Sequence, residues 1–175
     1  NFRNLMNRLN LNLNDENQNN LINDIIPAIP TSKTYLVLDQ YKNILNNYIQ
    51  NPNQWESYSR NLVIYSIFYS IDRSIGVYDQ YQRQYYHDQN FINHIDNELI
   101  TILETYANNQ ALYNFENRSY LTENAIWILG HLSTFSQLGQ HSRIIANLTN
   151  LLNVFQRMAV RLYFLMTLQA MAVSG

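Results

Sequence analysis

Two histidines near the middle of the chain are the first residues whose types could bind a metal. His87 and His94 flank Asp88. On one helix they would be about two turns apart, which puts their rings about 10 Å from each other along one face. A zinc ion holds its ligands at about 2 Å. Because the chain also has no His-Glu-x-x-His or Glu-x-x-His motif, we expect no metal and no cofactor.

Three glutamates in apolar helical segments are the candidates for general acid–base chemistry. They are Glu98, Glu104 and Glu123. The spacing of the first two places them on opposite faces of a helix, and Glu123 lies at a helix start, where the helix dipole favours a carboxylate. Catalysis needs groups that converge, so we expect no catalytic residue. A small helical hydrolase or lyase that uses buried carboxylates is the enzymatic alternative.

Four tyrosines are the best candidates for a binding surface, namely Tyr78, Tyr81, Tyr85 and Tyr86. A tyrosine offers a wide apolar ring with a polar tip at low entropic cost, and it is enriched at binding surfaces. Filling a gap between packed helices is the commoner role of such rings. We therefore take the four as tentative binding residues, with a core role as the alternative.

The composition favours one ordered domain. Apolar residues make up 46% and charged residues 14% of the 175 residues, which is far from the pattern of disorder. The net charge of −2 gives no basic field for phosphates, so nucleic acid is not an expected partner. The chain has no cysteine, which excludes disulfides, thiolate metal sites and a cysteine nucleophile.

The C-terminal part holds an apolar run over residues 158–173, interrupted by Arg161 and Gln169. It is shorter than the ~20 residues that span a bilayer, so we predict a buried helix and no membrane span. The chain begins at Asn1 rather than at a methionine and ends at Gly175 within a hydrophobic run. We therefore expect a piece of a longer protein.

Two prolines divide the chain into an N-terminal arm and a body. Pro27 and Pro30 lie in the sequence IIPAIP, and proline disfavours helix at its own position and at the preceding one. We predict an extended linker that ends a helical arm over residues 1–30. Residues 31–175 then form an all-α domain.

The body shows helical periodicity from Thr31 onwards. Apolar side chains recur every three or four residues, which predicts one buried face, and the Asn51-Pro52 step ends this first helix. Its stripe is Leu38, Tyr41, Leu45 and Tyr48.

The second predicted helix begins at a capping box of Asn53 and Glu56 and reaches a break at Gly76. Its apolar residues are Trp55, Leu62, Tyr65, Ile67, Phe68 and Ile71.

Further helices follow in the second half. Asp88 can cap one, and its stripe is Ile92, Ile95, Leu99, Ile102 and Tyr106. Another covers 121–135 and is apolar around most of its circumference, which predicts a central position with Ile128 well buried. A final long run begins at Ile144. No segment alternates as a strand does.

These patterns predict an all-α fold of about seven or eight amphipathic helices. Helices joined by short connections pack antiparallel. We therefore expect stacked antiparallel helices, either as a HEAT-like α-solenoid or as an irregular helical bundle.

Four helical segments occur in an order that resembles a known family: IYSIFYSIDRSIG, FINHIDNELITILETY, TENAIWILGHLSTF and IIANLTNLLNVF. Their succession is similar to the helical N-terminal (activator) region of microbial collagenases, which are secreted zinc metalloproteases. The resemblance covers residues 62–155. It implies a non-catalytic, HEAT-like module that helps grip collagen opposite a peptidase domain. In that family the zinc-binding motif lies in a separate downstream domain.

Two functions therefore remain open for a chain without its own catalytic site. The first is the accessory module of a secreted protease, with collagen or a peptidase domain as its partner and an extracellular location. The second is an α-helical scaffold or adaptor that binds a protein partner and is unrelated to proteases. A cytoplasmic location is compatible with the second.

Overall fold

The computed structural model describes residues 2–10, 15–51, 58–75, 77–79, 84–86, 88–108 and 119–133. In these ranges the chain forms seven α-helices and one short hairpin. The all-α class is confirmed, and the stacked arrangement of the helices stays a prediction. The helices are α1 (Phe2–Arg8), α2 (Asp15–Asn20), α3 (Leu38–Gln50), α4 (Tyr58–Ile75), α5 (Gln89–Asn93), α6 (Asn97–Ala107) and α7 (Ser119–Ser133).

The expectation of a chain without any sheet is wrong at one place. Two strands, β1 (Val77–Asp79) and β2 (Gln84–Tyr86), pair in an antiparallel hairpin. Strands this short cannot be recognised in the sequence, because three residues are too few to show the alternation of apolar and polar side chains that marks a strand. Valine and tyrosine do favour extended structure, which agrees with the place where the hairpin forms.

The chain divides into two compact units, Asn1–Ile95 and Asp96–Gly175. The predicted division into an arm over residues 1–30 and an all-α domain over residues 31–175 stays a prediction. Leu21, Ile25 and Ile26 are all buried, and their segment contacts α4. These three residues therefore contribute to the core of the first unit.

The predicted proline linker is extended only in part. Ile29 and Pro30 have extended backbone angles, but Ile26–Ala28 forms a turn of 3-10 helix that includes Pro27. Proline is tolerated there because the first N–H groups of a helix have no partner within it. A π-helical turn, Leu21–Ile25, comes directly before it.

The first helix of the predicted body begins differently and ends as expected. Thr31–Val37 is 3-10 helix, and regular α-helix starts only at Leu38. The C-terminal cap is Asn51, as the Asn-Pro step predicts. All four residues of the predicted stripe are buried in the first unit, which confirms the assignment: Leu38, Tyr41, Leu45 and Tyr48.

α4 is the longest helix of the described chain, and it packs against several segments of the first unit. Its buried apolar side chains recur at helical spacing and make one wide face. The predicted capping box of Asn53 and Glu56 lies outside the described residues, as does Trp55. The buried set is Val63, Ile64, Ile67, Phe68, Ile71 and Ile75.

One long predicted helix is in fact two. Asp88 caps α5 as expected, because its Oδ1 accepts hydrogen bonds from the N–H groups of Asn90 and Phe91. The chain then leaves the helix, and Asp96 Oδ1 accepts the N–H of Leu99 at 2.9 Å. A side chain that accepts hydrogen bonds from the free N–H groups at the start of a helix stabilises that N-terminus. The single helix predicted through Ile95 is therefore wrong.

The second unit contains α6 and α7, which pack against each other. Ile128 is buried, as predicted. The central position of α7 stays a prediction, and the helical run from Ile144, like the apolar run 158–173, lies outside the described residues. Among the helices that can be described, none combines the length and the apolar character needed to cross a bilayer.

Candidate functional site

Of the two candidate histidines, the structure describes His94. His94 is exposed at the end of α5, where its Nδ1 lies 2.7 Å from the carbonyl oxygen of Asn90. Its ring centroid lies 5.0 Å from that of Tyr35. His87 lies outside the described residues. Across the part of the chain that the structure describes, no three His, Cys, Asp or Glu residues form a group that could hold a metal.

The three candidate glutamates differ in their surroundings. Glu98 is exposed in the first turn of α6, Glu104 is half-buried near the end of that helix, and Glu123 is half-buried on α7. None of them belongs to a described cluster of three acidic or histidine side chains.

Three of the four candidate tyrosines lie on the strands of the hairpin, namely Tyr78, Tyr85 and Tyr86. Tyr78 on β1 is the direct partner of Tyr85 on β2, and Val77 is the partner of Tyr86. Tyr81 lies outside the described residues. The binding role of these four tyrosines stays a prediction.

A groove along α4 is a concave surface of the first unit. We call it the α4 groove, and its volume is about 150 Å³. One wall is the proline turn Ile26–Ala28, and the rest is the exposed side of α4. The described lining residues are Ile26, Pro27, Tyr65, Ser66, Tyr69, Ser70 and Arg73.

Helical spacing explains why this side of α4 faces solvent. Tyr65, Tyr69 and Arg73 follow each other at intervals of four, so they lie on one stripe. The two tyrosines are 41% and 56% exposed, and Arg73 is exposed as well. Among the side chains of α4 that can be described, these three are the only exposed ones. Every exposed position in the described part of that helix therefore lines the groove.

The floor of the groove is formed by two serines, Ser66 and Ser70, whose hydroxyls form hydrogen bonds within the first unit. Ser70 shares a hydrogen bond of 2.9 Å with the hydroxyl of Tyr41 on α3, which is fully buried. Burial raises the pKa of Tyr41 to about 12, although the hydrogen bond to Ser70 and the charge of Arg73 act in the opposite direction. Ser66 donates its own hydrogen bond to the carbonyl oxygen of Leu62. Both serine hydroxyls are thus engaged.

Arg73 is fixed at one end of the groove by two contacts. Its Nη2 donates a hydrogen bond of 2.9 Å to Thr31 Oγ1. Its guanidinium carbon lies 5.6 Å from the centroid of the Tyr69 ring, within the range of a cation–π contact. No carboxylate of the described residues forms an ion pair with Arg73. Within the described chain, the guanidinium is therefore oriented by neutral groups.

The described lining of the groove holds no pair for nucleophilic catalysis. The described lining contains no histidine, aspartate or glutamate, and a serine nucleophile needs an adjacent base. The apolar walls offer burial to an apolar group, while Arg73 offers hydrogen-bond donors. This combination is typical of a recognition site.

A second concave surface lies at the end of α6 in the other unit. It is lined by Thr101, Glu104, Thr105 and Asn108. Two of these side chains bind their own helix, because Thr105 donates to the carbonyl of Thr101 and Asn108 to that of Glu104. Its described lining includes no aromatic ring. The α4 groove is the stronger candidate.

A buried polar cluster in the first unit has a structural role. The hydroxyl of Tyr48 donates to Gln18 Oε1 at 2.9 Å, and the Arg60 guanidinium lies 4.5 Å from the Tyr48 ring. Arg60 also donates to the carbonyl of Asn51. Burial raises the pKa of Tyr48, against the opposing charge of Arg60. These contacts connect α2, α3 and α4 inside the unit.

The sequence analysis names Tyr65 only as one of several apolar residues of its helix, and the structure shows that this residue is exposed. A signal is nevertheless present in the sequence. On a helical projection Tyr65, Tyr69 and Arg73 form a stripe of their own, displaced from the face that contains the buried residues Ile64, Phe68 and Ile71.

Comparisons with protein-family models, with curated proteins and with solved structures found no match for this chain. The resemblance to the collagenase activator region thus depends on the succession of helical segments alone. The geometry of the α4 groove is the observation from which a function can be argued.

Proposed function

We propose that this chain is a non-catalytic helical module that binds a protein partner in the α4 groove. One observation carries the proposal: all the exposed described side chains of α4 line the groove. They are Tyr65, Tyr69 and Arg73. Tyrosine and arginine are enriched among the residues that dominate binding energy at protein interfaces.

The rigidity of the site also supports a binding role. Phe68 and Ile71 anchor α4 in the core, Tyr41 holds Ser70, and Thr31 holds Arg73. A surface whose side chains are already ordered loses less entropy when a partner binds. The partner thus meets a largely pre-formed site.

The test is a peptide selection, which works without an identified partner. A phage library of random peptides is selected on the wild-type chain. The enriched peptides are then measured on the Tyr65→Ser/Tyr69→Ser double variant. We expect them to lose at least about tenfold in affinity, which is about 1.4 kcal/mol.

The control for the selection is Tyr35→Ser, which changes a half-buried tyrosine that does not line the groove. This variant should bind the selected peptides as the wild type does. Equal binding to the wild type and to the double variant would reject the groove as the binding surface.

We further propose collagen as the first protein to test, and this part rests on the resemblance of the helical segments. A collagen partner implies an extracellular location and a peptidase domain elsewhere in the parent protein. Binding of the chain to immobilised triple-helical collagen, reduced in the double variant, is the expected result. No binding at micromolar concentrations would remove collagen and favour the adaptor that is unrelated to proteases.

A further inference from the structure

Arg73 is the one charged residue among the described lining of the α4 groove. Its guanidinium is held by the hydroxyl of Thr31 and by the ring of Tyr69, and it has no ion pair with a described carboxylate. An arginine that is oriented in this way keeps most of its five N–H donors available. Its planar fork matches the two oxygens of a carboxylate.

The neighbouring space has the size of one ring. A cavity of about 150 Å³ with apolar walls is large enough for a benzene-sized group, and this is the volume of the groove. Ile26, Pro27 and the two tyrosines supply the apolar surface. A ligand that fills the groove therefore brings a ring-sized apolar group next to a carboxylate.

We infer that the α4 groove recognises an acidic peptide segment that places a ring-sized apolar side chain beside a carboxylate. The inference rests on the proposed function and adds the chemistry of the partner. Charge complementarity selects the carboxylate, because the described lining offers a cation and no acidic group. A phosphate is usually bound by a cluster of arginines, whereas the described lining provides one.

The probe is a pair of blocked peptides that differ in one group. The first is acetyl-Gly-Ser-Phe-Glu-Gly-Ser-amide, and the second replaces its glutamate by glutamine. Both are titrated into the full chain at low salt, with chemical-shift changes as the readout. We expect the glutamate peptide to bind up to about fivefold more tightly, because an ion pair with an exposed guanidinium contributes only modestly in water. The difference should shrink at high salt.

Three variants test whether the preference for the glutamate peptide depends on Arg73. In Arg73→Gln the two peptides should bind within about twofold of each other, because the charge-assisted bond is lost. Thr31→Ala keeps the charge but removes the hydrogen bond that orients it, so the preference should fall only in part. Arg8→Gln makes the same change in net charge at an exposed position on α1, and it should leave the preference intact.

Each possible result either supports or contradicts the inference. The inference is wrong if the wild-type chain binds both peptides equally, if it binds neither at millimolar concentration, or if the preference survives in Arg73→Gln. Failure of the inference and failure of the proposed function can be told apart. If Tyr65→Ser/Tyr69→Ser weakens both peptides while Arg73→Gln changes nothing, the acidic partner is excluded and the binding module stands.

Discussion

The helices α4 and α7 show opposite uses of a long helix. Every described side chain of α7 between Leu121 and Leu132 is buried or half-buried, so this helix is covered on most of its described surface. α4 buries one face and exposes another, and that exposed face is the groove. A long amphipathic helix can thus contribute one face to the core and another to a recognition surface. A helix that is covered by protein contributes only to the core.

The largest expected effect compares two neighbouring residues of α4. Phe68 is 1% exposed and Tyr69 is 56% exposed. We expect Phe68→Ala to lower the free energy of unfolding by about 3 to 5 kcal/mol, the usual loss for an aromatic residue in a core. Tyr69→Ala should cost about 1 kcal/mol or less. Urea unfolding measures both, and similar losses would mean that α4 does not have two distinct faces.

The second effect concerns the covered helix. Ile128 is buried on α7, and Ile128→Ala should cost about 2 to 5 kcal/mol because it leaves a cavity among packed side chains. The variant should leave binding to the α4 groove unchanged, since Ile128 belongs to the other unit. Urea unfolding again gives the loss, with Asn97→Ala on the exposed part of α6 as a near-neutral control. A cost below about 1 kcal/mol would show that α7 is not covered.

The third effect comes from the tyrosine beneath the groove. The pKa of Tyr41 is raised to about 12 from an ordinary 10.0. Between these values the unfolded chain loses the proton while the folded chain keeps it, so stability is fully present below pH 10 and falls as the pH approaches 12. The contribution of this one group is about 2 to 3 kcal/mol.

The measurement is the free energy of unfolding for the wild-type chain and for Tyr41→Phe, at several pH values from just below the ordinary tyrosine pKa to about one unit above it. The variant should show a shallower decline than the wild type over this interval. Parallel curves would contradict a buried, neutral Tyr41 under the floor of the groove.

The smallest effect concerns the start of α6. Asp96 caps this helix through Leu99, and Asp96→Ala should cost about 1 kcal/mol, the typical value for a lost N-cap. Asp96→Asn should retain most of the stability, because an amide oxygen can still accept the hydrogen bond. Thermal melting of the two variants provides the comparison. An alanine variant as stable as the wild type would indicate that α5 and α6 are continuous.

Much of the helical content could be predicted from the sequence, because it depends on local signals. The stripe through Tyr41 and Tyr48, the stop at Asn51 and the cap at Asp88 all follow from spacing and side-chain chemistry. The break at Asp96 could not, since its apolar neighbours keep helical spacing across the break. The packing around that aspartate decides whether the side chain caps a new helix or stays within a continuous one.

The candidate site was harder to predict than the helices. Tyrosine is apolar enough to belong in a core and polar enough to face water, so its type does not reveal whether Tyr65 is buried. The wall supplied by Pro27 comes from a distant part of the sequence, and so does the support of Ser70 by Tyr41. Such long-range contacts leave no periodic pattern in the chain.

Mapping of tyrosine nitration in the native chain tests the central claim most directly, because the claim is that α4 presents two tyrosines to a partner while others hold the core. The chain is treated with tetranitromethane and the modified sites are identified by mass spectrometry, with and without a peptide selected on the wild-type chain. We expect modification of Tyr65 and Tyr69, protection of both by the peptide, and no modification of the buried Tyr41 and Tyr48. Modification of Tyr41 or Tyr48 before the two α4 tyrosines, or no protection by the peptide, would contradict the account.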